Sequence, residues 1–302
     1  TDGIREYLGI SPRGTESSFL GGSSYLTFIK RAIDAVESGY CNIAIVSYGS
    51  NQRSAKSRSL GGVLENHTPQ NFFEHSQGVL SPLSLYALVA QRGFYEWDIN
   101  SQDLAEVAVN SRKWAQLNKK AYHYSSGELK VQDVLDSGLI SSPLHKLDCC
   151  LVTDGGGAVL ITNDKIADKL NLPKIKTTGF GQRDTHISYS QMPNYLITGA
   201  KASSEEALKQ SGMKLSDIDV LQVYDSFTIT VLSTLASIGL AEPKKIIEMF
   251  QEGEFYKGGR YPLNTSGGGL SYCHPGMLGL LLVVEAVNQL SGKLKDRQVD
   301  GA

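Results

Sequence analysis

Residues 24–38 set Tyr25, Phe28, Ile29, Ala32, Ile33 and Val36 on one helix face, with Gly39 placed to end the helix. Asn42 to Tyr48 then runs as an apolar strand rich in β-branched residues. An amphipathic helix feeding a buried strand is half of a βαβ unit, which commits the chain to an α/β layer architecture.

The same alternation returns downstream. A helix is expected around 101–118, with Ser101 as N-cap and Asp103 and Glu106 in its first turns. From Leu144 to Thr162, Asp154 and the glycines 155–157 read as a tight turn feeding a strand. The run lacks the Lys-Ser/Thr of a phosphate loop and precedes a strand, so a structural turn is the better reading. A second cycle starts near Pro173: a strand at 174–179, a helix at 198–212 closed by Gly212, and a turn at 215–219. A strand at Val220–Tyr224 and a helix at 226–238 ending at Gly239 complete it. Two α/β halves follow, residues 1–165 with a loop insertion at about 50–145 and residues 166–302, the connection falling near 163–173.

A chain of 302 residues with 41% hydrophobic and 20% charged content is globular. Its net charge of −2 offers no electrostatic reason for a nucleic-acid or membrane partner. No apolar run reaches the roughly 20 residues of a membrane span, and the start at Thr1 shows no signal-peptide core. Cys41, Cys149, Cys150 and Cys273 have neither metal-ligand spacing nor a disulfide framework, which points to a reducing cytoplasm. Cys149 and Cys150 read as buried structural thiols, and the scattered histidines give no metal site.

Chemistry concentrates near the C-terminus. Asn264 to Gly276 holds Gly267, Gly268 and Gly269, then Tyr272, Cys273, His274 and Pro275, and opens into the apolar stretch 277–290. A glycine turn, a histidine and a buried helix describe an imidazole pinned at a turn-to-helix junction. Upstream, Val223, Tyr224, Asp225, Ser226 and Phe227 end the expected strand. Asp225 is expected to cap the helix that follows, and Tyr224 is either simply packed or chemically active.

On three stretches the chain resembles the thiolase superfamily, in the branch of the sterol-carrier-protein thiolases and the thiolase-like aldolases that cleave steroid side chains. Residues 35–39 with 43–46 resemble the helix end and strand that follow the thiolase nucleophile. Residues 223–227 resemble the Asn/His-Glu/Asp-Ala/Cys-Phe motif, and 264–276 the Gly-Gly…Gly-His-Pro motif. The resemblance implies duplicated βαβ halves with mixed sheets sandwiching helices (αβαβα), the given sequence being expected to lack the family's first and last strands. It also places the nucleophilic cysteine at Gly22, within eighteen residues of which the sequence has no cysteine.

Without that sulfur, the implied chemistry is retro-aldol cleavage of a β-hydroxyacyl coenzyme A rather than thiolysis, in sterol or bile-acid side-chain degradation. Tyr272 is then the base or acid, Tyr224 its partner, and His274 an oxyanion or thioester-binding group. The backbones of Gly22, Ser23, Gly268 and Gly269 would face a carbonyl oxygen. Ser23 or Ser24 as nucleophile would need a paired base. Coenzyme A enters as part of the substrate, with no bound cofactor. The resemblance further implies a homodimer and a small OB-fold, zinc-ribbon partner. An acyl-CoA acyltransferase and a non-catalytic acyl-CoA-binding subunit are the competing readings. Phe72, Phe73, Phe94 and Trp97 either line an apolar pocket or fill a core.

Overall fold

The computed structural model describes residues 2–18, 20–57, 69–79, 82–186 and 188–302. A short helix α1 (Asp2–Leu8) precedes α2 (Ser24–Glu37), and β1 (Ile43–Ser50) follows directly. Gly39 takes a left-handed φ of 72° and closes α2, as the sequence predicts. Next come α3 (Pro69–Ser76), α4 (Pro82–Trp97) and α5 (Ser101–Ala115). Asn100, not Ser101, caps α5: its side chain accepts from Gln102 and Asp103 amides, while Asp103 accepts the Asn100 N–H. This reciprocal box uses the residue whose backbone is still extended, which places it one position before the expected cap.

Helix α6 (Val131–Leu135) leads to a small hairpin, β2 (Leu139–Ser141) with β3 (Leu144–His145). Strand β4 (Gly155–Thr162) pairs antiparallel with β1, Ile43 opposite Thr162 and Ser50 opposite Gly155. Glycines 155–157 therefore lie inside the strand rather than in a turn, because the unpaired end of β1 supplies ladder partners at Tyr48, Gly49 and Ser50. The remaining helices are α7 (Asp164–Lys169), α8 (Ala200–Ser211), α9 (Thr228–Ser237), α10 (Pro243–Glu252) and α11 (Gly279–Leu290).

Helices dominate and the sheets are small, and two expected strands are absent from the described residues. Residues 174–179 lie outside any strand; Gly179 at their end and Gly181 just beyond press on the α8 backbone, while Phe180 N–H donates to Gln210 at 2.7 Å. Residues 220–224 keep a single parallel bridge, Leu221 with Leu263. The ladder starts there, with Leu221 N–H donating to Pro262 and Asn264 N–H to Leu221. It cannot continue, since Asn264 turns away at a φ of 49°. The Asn264 side chain replaces the missing strand: Oδ1 accepts Val223 N–H and Nδ2 donates to Val223 C=O, each at 2.8 Å.

Two apolar clusters carry the fold. In one, α4, α5, α9 and α10 enclose Ala90, Leu104, Ile229, Leu232 and Ile246, with Phe94 and Trp97 packed against it. In the other, α2 and α11 cover one face of β1–β4 around Tyr25, Val46 and Leu280. Phe72 and Phe73 are exposed, so neither fills a core. No described helix is long and apolar enough to cross a membrane.

Candidate active site

The backbone amide of Cys150 bonds Ser226 C=O, that of Leu151 bonds Gly269 C=O, and that of Thr153 bonds His274 C=O. One extended segment thus ties residues 224–227 to the glycine turn and the histidine. The turn itself is a short π-helix, Gly268–Tyr272, entered through Gly267 at a φ of 99°. Asp225 holds it: Oδ1 accepts Gly269 N–H at 2.7 Å and Oδ2 accepts Leu270 N–H at 3.1 Å. Asp225 therefore caps this π-turn and not α9, whose N-cap is Phe227 with no side-chain bond. Gly268 has to be glycine, because its φ is 59° and a Cβ would lie 2.1 Å from Asp225 Oδ2.

His274 is fixed next. Its N–H donates to Thr153 Oγ1 at 3.0 Å, and only 4% of the residue is exposed. Across from it, Tyr224 Oη lies 3.1 Å from His274 Nε2 and also accepts Leu278 N–H at 3.1 Å. Leu278 is the N-cap of α11, so the phenol oxygen sits at the positive end of a helix. Burial pushes the Tyr224 phenol above its ordinary range, against the Leu278 amide, which lowers it. The group is a neutral hydroxyl at physiological pH.

Gly22 stands over this phenol. Its C=O accepts Gly279 N–H at 3.2 Å, and a Cβ at position 22 would lie 2.3 Å from Tyr224 Oη. The N–H groups of Gly22 and Ser23 make no hydrogen bond to another described residue. By contrast, Gly269 N–H is committed to Asp225, and Gly268 N–H reaches Ser266 Oγ at 3.3 Å. Ser24 is a buried turn residue, receiving Leu20 N–H and donating to Gly21 C=O.

Tyr272 is placed differently. It packs, like Tyr224, against the cluster of Cys273, Leu278, Leu281 and Leu282. Its phenol is raised by burial, then by Cys273 and Glu285, and lowered by Arg297. Among the described residues its hydroxyl makes no hydrogen bond, so Tyr224 and His274 are joined and Tyr272 is not joined to either. The Cys273 thiol is buried against Thr153 Oγ1 at 3.2 Å, and burial pushes it up, which leaves it a packed group. Sequence reasoning missed Thr153 and Leu278; a backbone amide and a hydroxyl reaching across the fold leave no periodic signal.

The family model for thiolase C-terminal domain-like sequences matches residues 181–302. A steroid side-chain-cleaving aldolase of Thermomonospora curvata is 30% identical over 285 residues, 90% of this chain and 71% of that protein. The benzoylsuccinyl-CoA thiolase subunit BbsB of Thauera aromatica is 31% identical over 220 residues, 71% of this chain and 56% of that subunit. Among solved structures, the aldolase Ltp2-ChsH2(DUF35) matches at a TM-score of 0.80 and 29% identity, covering 93% of this chain and 72% of that one. The chain spans little more than half of the thiolase subunit and about seven-tenths of either aldolase chain. With this α/β fold and these relatives, the chain belongs to the thiolase-like superfamily.

Proposed function

We propose that this chain is a thiolase-like aldolase that breaks a carbon–carbon bond of a β-hydroxyacyl coenzyme A thioester, with a sterol or bile-acid side chain as the acyl group. One observation carries the reading. Where the family resemblance puts the nucleophilic sulfur, a Cβ would lie 2.3 Å from the Tyr224 hydroxyl. A side chain that holds an acyl group covalently has no room there, and a phenol bonded to imidazole takes its place.

The pair suits a retro-aldol step. With the imidazole proton on Nδ1, Tyr224 donates its hydroxyl hydrogen to His274 Nε2 and accepts from Leu278 N–H and from the substrate's β-hydroxyl. As the Cα–Cβ electron pair moves onto Cα, the β-hydroxyl proton passes to Oη and the phenol proton to Nε2. The products are a carbonyl at Cβ and a thioester enolate, whose oxygen the Gly22 and Ser23 amides stabilise. Returning one proton from the pair to Cα regenerates the starting state. Passing the proton through fits a phenol whose anion is disfavoured by burial. Tyr272 keeps its assignment as an alternative acid or base.

Support for the aldolase reading comes from the relative named as a steroid side-chain-cleaving aldolase and from the solved aldolase structure. The solved aldolase carries a component designated DUF35 in its name, and we extend a small partner of that kind, with a homodimer, to this chain. The test is incubation of the partnered protein with a β-hydroxyacyl coenzyme A. A ketone plus a shortened acyl-CoA is expected, with turnover in Tyr224→Phe lower by about 10²- to 10⁴-fold. A larger loss in Tyr272→Phe than in Tyr224→Phe would transfer the proton to the other phenol. Consumption of free coenzyme A with acyl transfer, or tight binding without turnover, would overturn the lyase assignment.

A further inference from the structure

We propose that Asp225 is a positioning residue whose negative charge assembles the Tyr224–His274 pair, so that the site is built when this carboxylate is ionised and loosens when it is protonated. The inference rests on the reading of that pair as the proton carrier. Its geometry, though, stands independently of the reaction.

Asp225 is fully buried and directly follows Tyr224 in the chain, so its backbone is continuous with one half of the pair. Its two oxygens grip Gly269 and Leu270 N–H, which fixes the turn leading to the other half. The fit is tight at both ends. A Cβ on Gly268 would run into Oδ2, and one on Gly269 would stand 3.1 Å from Oδ1 and 3.2 Å from His274 Cδ2. Only a single backbone width separates the carboxylate from the imidazole.

An ionised carboxylate accepts both N–H bonds at full strength. A protonated one turns an oxygen into a donor and a poorer acceptor, which weakens the grip on the two amides, the longer bond to Leu270 above all. Burial pushes Asp225 up to about 7, with the Gly269 and Leu270 amides and Asn264 pulling it down. The change of state therefore falls at ordinary pH. Ionisable groups on the surrounding elements are the Tyr224 phenol beside it, Tyr272 at the end of the turn, Cys273 and His274 after it, Cys150, Tyr122 and His123 on the segments bonded to it, Arg112 on α5, which packs on the turn, and Glu285 on α11. None of them hydrogen-bonds the Asp225 carboxylate through its side chain.

Two measurements test this. Amide hydrogen exchange of Gly269 and Leu270, followed against pH in the wild-type protein without substrate, should show protection lost as pH falls through about 7. Asp225→Asn should lack that transition, turn over about 10- to 100-fold slower with KM nearly unchanged, and have no acid limb at this pH. An acid limb that persists in Asp225→Asn overturns the proposal, as does protection that ignores pH in the wild type. Should no aldolase activity be found, the exchange result alone decides the positioning role. Should Asp225→Asn fail to fold, the wild-type exchange profile still does.

Discussion

The Tyr224 hydroxyl sits between two helix starts. Leu278, the N-cap of α11, donates to it, and Gly22, just before α2, closes over it. Helix N-termini favour negative charge, so any charge that develops on the oxygen during proton passage meets a positive environment. This makes the Gly22 position testable. Gly22→Ala puts a carbon within 2.3 Å of an oxygen pinned by two hydrogen bonds, so the phenol has to leave His274. We expect turnover to fall at least about 100-fold with a stability loss of about 1–3 kcal/mol, read by steady-state kinetics beside denaturant unfolding. Wild-type turnover in that variant would mean the phenol–imidazole bond is dispensable. At this scale the sequence was informative: the glycine at 22, the tyrosine at 224 and the histidine at 274 are visible as departures from or matches to a motif. That Tyr224 meets His274 while Tyr272 is left under the charges of Cys273, Glu285 and Arg297 was not visible, since two residues of spacing within an irregular turn fix no direction.

Periodic elements were legible and aperiodic ones were not. Helices α2, α8, α9 and α11 fall where apolar spacing and terminal glycines put them, because those signals are local. The segment 220–224 has strand composition, yet its partner strand is one bridge plus a side chain. Sequence cannot show that an asparagine amide will stand in for a peptide group forty residues away. The stand-in has a measurable worth. Asn264→Ala leaves the Val223 N–H and C=O buried without partners, at roughly 1–3 kcal/mol each. A loss of about 2–5 kcal/mol in the unfolding free energy is therefore expected, together with weakened catalysis, since Val223 immediately precedes Tyr224. A change below about 0.5 kcal/mol would mean that the segment is held from elsewhere.

Across the whole molecule, one face of the β1–β4 pair packs on α2 and α11, while the opposite face exposes Ile45 at 57% and Leu160 at 44%. The thiolase-like α/β fold is therefore carried by the match to a solved relative more than by the hydrogen-bonded strands among the described residues. Function and stability meet in the buried carboxylates. Asp225 is raised to about 7 and Asp148 is raised too, chiefly by burial in both cases. In the unfolded chain an aspartate titrates near 3.9, so between about pH 4 and 7 the folded protein holds the extra proton. Its contribution to stability is complete below the unfolded value and is lost as pH rises through the folded one. Asn at position 225 does not titrate. Wild-type stability should thus decline relative to Asp225→Asn by about 3–4 kcal/mol from pH 4 to 8, measured as unfolding free energies in denaturant. A difference independent of pH would show that Asp225 ionises in the folded state as it does in the unfolded one. The same charge that tightens the π-turn weakens the fold, the trade expected where a site is held together by a group its surroundings would rather keep neutral.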